Sequence, residues 1–313
     1  MPEKGESSLT EETWGDSLTW ERILRDYLNF LSGCGRSRNT LIFYKDQIAR
    51  FYREKKPEWD NENESFLAWN GEPQIHSNHR LDSCRRFWTW AARAGHRKSN
   101  PAEIVPRRIT NKYPIANVNM SDISKLAAAF HEEYRVRPGQ WERVRNYTYI
   151  LFAIGTGVRP GEGLKLRGAD FDINERCALI RAEYAKTRQS RVVYFPQSEE
   201  LSDLLRRLMK MQIQSGVPSG SPLFSDIRGR ELSARSWFHI VNRRASQVGI
   251  RIKPYDFRHA FITHSLSSGA NPYDLRDQVG HSNMEMMKRY YHSSPEVRRN
   301  TADLSPLRKI SRE

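Results

Sequence analysis

The sequence predicts a mainly α-helical chain with a small β-sheet in the second of two domains. Three observations lead there. Apolar residues recur at three- and four-residue steps along most of the chain. That period gives way to short strand-like runs between about residues 177 and 195. A stretch at 101–114 carries three prolines and several cations but no apolar stripe, which marks a linker. A chain of 313 residues has room for two domains, each able to bury a core.

Residues 1–16 are polar and acidic without periodicity and read as a disordered lead-in. The first helix carries Trp20, Ile23, Leu24, Tyr27, Leu28 and Leu31 on one stripe and ends at Gly33 and Gly35. Thr40 is the expected cap of a second helix with Leu41, Tyr44, Ile48 and Phe51 on one face. Phe66 to Trp69 belongs to a short third helix. A fourth, about 78–94, turns Leu81, Cys84, Trp88 and Ala91 inward and is stopped by Asn100-Pro101. This gives a helical first domain at 17–100 and a basic linker at 101–114.

The second domain, 115–295, opens with helices near 121–134 and 141–155; Val144, Tyr147, Leu151 and Ile154 share a face of the latter. Cys177 to Ala182 and Arg191 to Phe195 flank the polar segment Lys186-Thr-Arg-Gln-Ser190, as a β-hairpin or two strands of a small sheet. Helices follow at about 199–212, 233–248, 255–268, 272–279 and 283–291, with Asn271-Pro272 as a cap and first turn. The tail, 296–313, holds Leu304, Leu307 and Ile310 at three-residue steps.

The formal net charge is +14 and the sequence pI about 9.8, which suits a polyanionic partner, nucleic acid first. An anionic membrane is the rival, but there is no run of some 18 apolar residues and no signal-peptide pattern. The chain therefore reads as soluble and cytoplasmic. Cys34, Cys84 and Cys177 lie far apart and read as small buried hydrophobes in a reducing compartment. No His/Cys spacing or carboxylate cluster marks a metal site, and no cofactor is expected.

Four segments carry chemistry. In Gly155-Thr-Gly-Val-Arg159-Pro-Gly-Glu162, an arginine after a glycine-rich turn can face a phosphate, and Glu162, three residues on, can buttress a cation. Lys186 sits in the hairpin turn, where most lysines are simply solvated. Tyr255-Asp-Phe-Arg258-His259 opens a helix with Tyr255 and Arg258 on one face and His259 on another, as a core or capping histidine. Gly280-His281 precedes a short helix that closes with Tyr290 and Tyr291. Singly, each has a bland reading as surface pair or core residue; their order and spacing together are far more specific.

Together they resemble the catalytic domain of the tyrosine recombinases, the phage-integrase family. Its pattern runs Gly-x-Arg-x-x-Glu, a hairpin lysine, His-x-x-Arg-His, Leu-Gly-His and a tyrosine nine residues on; Gly157, Arg159, Glu162, Lys186, Arg258, His259, Gly280, His281 and Tyr290 match it in order. The helical first domain, with Arg86-Phe-Trp-Thr-Trp90 and the Asn100-Pro101 exit, resembles the family's core-binding domain, so the likeness spans about 17–295. The resemblance implies that Tyr290 attacks a scissile phosphate, that Arg159, Arg258 and His281 hold it, and that Lys186 protonates the leaving 5′-oxygen. Glu162 and His259 stand behind them. Tyr255 departs from the pattern, replacing the first histidine. A phenol can hydrogen-bond a phosphate but, with a reference pKa of about 10, is a poor proton acceptor near neutral pH, so activity is expected to survive at a reduced level.

The resemblance further implies a clamp on double-stranded DNA, with Arg80, Arg85, Arg86, Arg93, Arg107 and Arg108 as phosphate contacts. It implies a homo-tetramer on DNA, joined by the C-terminal tail, with a directionality factor or host DNA-bending protein as further partners, and a nucleoid-associated place in the cytoplasm. Two competitors share this chemistry or fold: a non-cutting DNA-binding regulator, favoured by Tyr255 alone, and a type IB topoisomerase, disfavoured by the helical first domain.

Overall fold

A computed structural model describes residues 19–59, 61–71, 77–107, 118–288 and 290. The chain divides into two compact units, Met1–Lys112 and Tyr113–Glu313. The lead-in at 1–16, Arg108, Tyr291 and the tail at 296–313 lie outside the described residues.

Among the described residues the first unit holds four helices: α1 (Thr19–Gly33), α2 (Arg38–Lys55), α3 (Asn63–Gly71) and α4 (Ser77–Arg93). The α1 stripe buries Trp20, Ile23, Leu24, Tyr27 and Leu31, as its period requires. The cap of α2 is Ser37, not Thr40: the Ser37 hydroxyl accepts from the Thr40 N–H at 3.3 Å. Ser37 has the extended backbone of a cap, at φ −66° and ψ 151°, while Thr40 already lies inside the helix. The core is aromatic and packed edge to face, with Phe66 and Trp88 centroids 4.8 Å apart at 89°. Asn100 does not stop α4, which ends at Arg93 before a left-handed Gly95 with φ 78°. Its amide instead donates to Arg85 O and Thr89 Oγ1, and its Oδ1 accepts from Ala102 N–H, fastening the exit chain onto α4.

The second unit is built around α6 (Trp141–Thr156), whose side chains are buried on nearly every face. It packs against α5 (Met120–Val136), α8 (Glu199–Gln214) and α10 (Pro254–Ser267). A four-residue helix, α7 (Pro160–Gly163), follows α6 across Gly157, which is left-handed at φ 61°; a Cβ there would meet Phe261 at 2.5 Å. The strands β1 (Phe171–Asp172), β2 (Cys177–Ile180) and β3 (Arg191–Tyr194) form one antiparallel sheet in that order, with Cys177 opposite Tyr194 and Ile180 opposite Arg191. The hairpin reading of 177–195 is thus correct. Ala178, Ile180 and Val193 face the core, while Leu179 and Val192 face outward.

The described residues of the unit hold three more helices: α9 (Ala234–Gln247), α11 (Pro272–Val279) and α12 (Glu285–Lys288). Asn271 caps α11 through the Tyr273 N–H at 2.9 Å, with Pro272 in its first turn, as read from sequence. Gln278 at its far end closes the open edge of β3. Tyr194 N–H donates to Gln278 Oε1 at 3.0 Å, and Gln278 Nε2 donates to Tyr194 O at 2.7 Å. The helix expected at 283–291 is shorter: α12 spans four residues, and Tyr290 lies in a turn beyond it, packed with Ile262, Leu275, Val279 and Met287.

Candidate active site

The end of α11 organises the site. The last carbonyls of a helix have no intrahelical partner and sit at the negative end of its dipole. Here three consecutive ones receive three arginines from three elements. Arg191, at the start of β3, donates to Gln278 O at 3.4 Å; Arg258, on α10, to Val279 O at 2.7 Å; Arg159, before α7, to Gly280 O at 2.6 Å. Gly280 is left-handed at φ 68°, a conformation that strains any L side chain, and a Cβ there would press on the Arg191 guanidinium at 2.7 Å.

One buried carboxylate serves the cluster. Glu162 takes Arg159 on Oε1 at 2.9 Å and Arg191 on Oε2 at 2.6 Å, and its Oε1 also accepts the Lys186 N–H at 3.3 Å. Glu162 therefore ties α7 to the middle of the hairpin loop and to the start of β3, a wider role than buttressing Arg159. Arg191 is the residue that sequence reasoning missed. It appeared only as part of a strand, and nothing local signals that its side chain leaves the sheet for Glu162.

Arg258 is 1% exposed. Its Nη1 donates to Gly157 O at 2.9 Å as well as to Val279 O, but Nε and Nη2 have no hydrogen-bond partner among the described residues. Burial, then the neighbouring Arg159 charge, lowers its pKa from arginine's usual range to about 10. Arg191 Nη1 is likewise buried without a partner among the described residues. Unpaired buried N–H groups on guanidinium are costly, and a tetrahedral oxyanion would satisfy them.

His281 follows Gly280 and is buried. Burial, then Arg258 and Arg159, push its pKa down to about 3. Its Nδ1 lies 3.1 Å from Met287 Sδ, and its ring is stacked near Tyr290, with centroids 6.1 Å apart. The Tyr290 hydroxyl is 2.7 Å from His259 Nδ1. His259 thus faces the site and is neither a core nor a capping residue, because Tyr290 comes within hydrogen-bond distance of it. Tyr255 is 45% exposed, one turn before His259, with ring centroids 5.4 Å apart. Lys186 is exposed in the hairpin loop. A cavity of about 400 Å³ opens beside them, lined by Thr187, Ser190, Arg191, Arg276 and His281 among others.

Two expected phosphate contacts of the first unit are placed otherwise. Arg80 is 3% exposed with its guanidinium 3.6 Å from the Trp69 ring centroid, a cation–π contact inside the unit. Its spacing to Cys84, Phe87 and Ala91 puts it on the inward stripe. Arg85 donates to Ala102 O at 3.1 Å and to Val105 O, holding the exit chain. Arg107 pairs with Asp82 at 2.9 Å on the surface, while Arg86 and Arg93 are exposed. Among the described residues no helix is long and apolar enough to cross a membrane, and no three His, Cys, Asp or Glu side chains are grouped to hold a metal ion.

A mainly helical unit with a three-stranded sheet and an arginine-lined tyrosine defines a class, and the comparisons agree. The sequence pattern of the phage integrase family matches residues 117–296, and the chain belongs to that family. It is 28% identical over 221 residues to the tyrosine recombinase XerC of Corynebacterium glutamicum, covering 69% of this chain and 67% of that one. It is 25% identical over 267 residues to the tyrosine recombinase XerD of Neisseria meningitidis, covering 82% and 88%. Among solved structures, the XerH site-specific recombinase bound to its difH substrate superposes with a TM-score of 0.67 at 17% identity, covering 95% of this chain and 91% of that one. The Tn1549 transposon integrase in complex with transposon right end DNA does so with 0.65 at 17% identity, covering 90% and 98%.

Proposed function

We propose that the protein is a site-specific DNA recombinase that cuts and rejoins duplex DNA through a 3′-phosphotyrosine at Tyr290. The observation that carries this is the buried Arg258 guanidinium, with two nitrogens unpartnered among the described residues, electrostatically coupled to Tyr290. A buried cation lacking a carboxylate of its own is explained by an anion that arrives with the substrate. The family membership and the relatives' names support the same reading.

In this reading the phosphate settles against Arg258 and Arg159, which neutralise its non-bridging oxygens as charge grows. Arg191 and Glu162 set the position of Arg159, and His281 contacts the phosphate from beside Tyr290. The Tyr290 oxygen bonds to phosphorus as the bond to the 5′-oxygen breaks. Lys186 supplies the proton to that oxygen: its backbone is pinned by Glu162, while its flexible four-carbon stem lets the ammonium follow the leaving group. Tyr255 donates to a phosphate oxygen where the family has histidine. The phosphodiester energy is kept in the phosphotyrosine, and a partner strand's 5′-hydroxyl reverses the step. The first unit contributes to duplex binding, with Arg86 and Arg93 as phosphate contacts, and the working form on DNA is a tetramer.

Nicked duplexes drawn from the DNA flanking the gene, incubated with the protein, test this. An SDS-resistant protein–DNA adduct lost in Tyr290→Phe and kept in Tyr291→Phe is expected. A clear gel shift with no adduct from the wild type would instead favour a non-cutting DNA-binding protein, the one alternative that the Tyr255 replacement supports.

A further inference from the structure

A phenol must shed its proton to become a nucleophile, and a phenolate formed in an apolar cluster is costly unless a neighbour takes that proton. In the resemblance, the position that could do so is the first histidine of His-x-x-Arg, which in this chain is Tyr255. One turn further on, His259 presents Nδ1 to the Tyr290 hydroxyl at 2.7 Å, with the two ring centroids 5.6 Å apart. The other imidazole nearby, His281, is badly placed to help. Its Nδ1 lies 3.1 Å from the Met287 thioether and so is turned to that sulfur, not to the Tyr290 hydroxyl. Burial first, then the charges of Arg258 and Arg159, hold its pKa down to about 3, so it is a poor acceptor for a proton.

We propose that His259 is the catalytic residue that accepts the Tyr290 proton during cleavage and returns it during rejoining. The inference rests on the recombinase reading above. In the cleavage step the proton passes from Tyr290 Oη to His259 Nδ1, with Nε2 carrying the hydrogen of the neutral ring. The Oη–phosphorus bond forms, the bond to the 5′-oxygen breaks, and Lys186 protonates that oxygen. Rejoining runs the same transfers backwards, so protons balance over the cycle. The proton acceptor has in effect moved along α10 by one turn, from position 255 to position 259, and Tyr255 remains as a hydrogen-bond donor beside it.

The test uses the full-length protein, nicked duplexes carrying its site, and the initial rate of adduct formation. His259→Asn keeps an acceptor atom near Nδ1 but has no basicity, so it separates positioning from proton transfer. Its DNA affinity is expected to match the wild type, with the rate near pH 7 falling about 100-fold, the low end for a lost general base. The rate should climb steadily with pH as hydroxide takes over. Ionisable groups beside His259 include Tyr255 and the adjoining Arg258 on its own helix, and His281 and Tyr290 from beyond α11. A second variant, His259→Gly, should recover rate with added imidazole. A duplex whose 5′-bridging oxygen is replaced by sulfur needs no general acid; it should restore Lys186→Ala and leave His259→Asn slow. Wild-type rates from His259→Asn at neutral pH, or its full rescue by the sulfur substrate, would overturn the proposal. No adduct from the wild type on any duplex removes the recombinase reading and this inference with it.

Discussion

Arg97 in the first unit and Arg258 in the second are both removed from water, and they are treated in opposite ways. The Arg97 side chain is 1% exposed, and Glu62 takes Nη2 at 2.9 Å and Nη1 at 3.2 Å. Ser99 O accepts from its Nε, Trp59 lies under its guanidinium, and the Tyr52 hydroxyl steadies Glu62 at 2.7 Å. Every face of that cation is answered within the unit. Arg258 has two carbonyls, a like-charged neighbour in Arg159, and two nitrogens facing nothing described. One buried arginine is paired within its unit, while the other sits against Arg159 in one cluster with a tyrosine, where an anion would complete it.

The largest effect that sharpens this contrast is on Arg258→Met. Adduct formation should fall about 1000-fold, the upper range for one lost charge-stabilising donor group, while the melting temperature holds or rises, because an under-paired charge leaves the interior. A matching loss of stability would erase the distinction. Arg97→Met should do the reverse, costing about 3 to 5 kcal/mol in urea unfolding because Glu62 is left buried and unpaired. Adding Glu62→Met should recover much of that; a double variant no more stable than the single would show that the pair is not the cause.

A smaller effect should come from anions alone. Pyrophosphate at ten times its dissociation constant should stabilise the wild type by about 1.4 kcal/mol and Arg258→Met far less, as read by thermal shift. The smallest concerns pH. His281 has a folded pKa of about 3 against an ordinary 6.5, so between those values the unfolded chain binds a proton that the folded chain does not. Its contribution to stability is complete above about pH 6.5 and is lost as pH falls toward about 3. His281→Phe should flatten that acid limb, and pyrophosphate, by offsetting the arginine charges, should narrow it. An unchanged limb in the variant would assign it elsewhere.

Much of this was legible in the sequence. The α1 stripe, the hairpin and the Asn271-Pro272 start of α11 follow from period and capping chemistry, which are local. Arg80 was also legible, at four, seven and eleven residues before Cys84, Phe87 and Ala91, but its charge outweighed its register. Two things were not. Adjacent residues on a helix point about 100° apart, which set His259 away from Arg258; the approach of Tyr290 to within hydrogen-bond distance of it leaves no local trace. Nor does any pattern announce that Arg191, Arg258 and Arg159 will share the last carbonyls of α11, since that meeting joins residues far apart in the chain.

The Gln278 amide has a consequence beyond the site. β3 ends its sheet, and an uncovered edge strand is a template on which other chains can add and aggregate. By giving and taking one hydrogen bond with the Tyr194 backbone, Gln278 acts as a single residue of a missing fourth strand. The helix whose end gathers the arginines is thus also the guard of the sheet, so a change that loosened α11 would endanger solubility as well as chemistry.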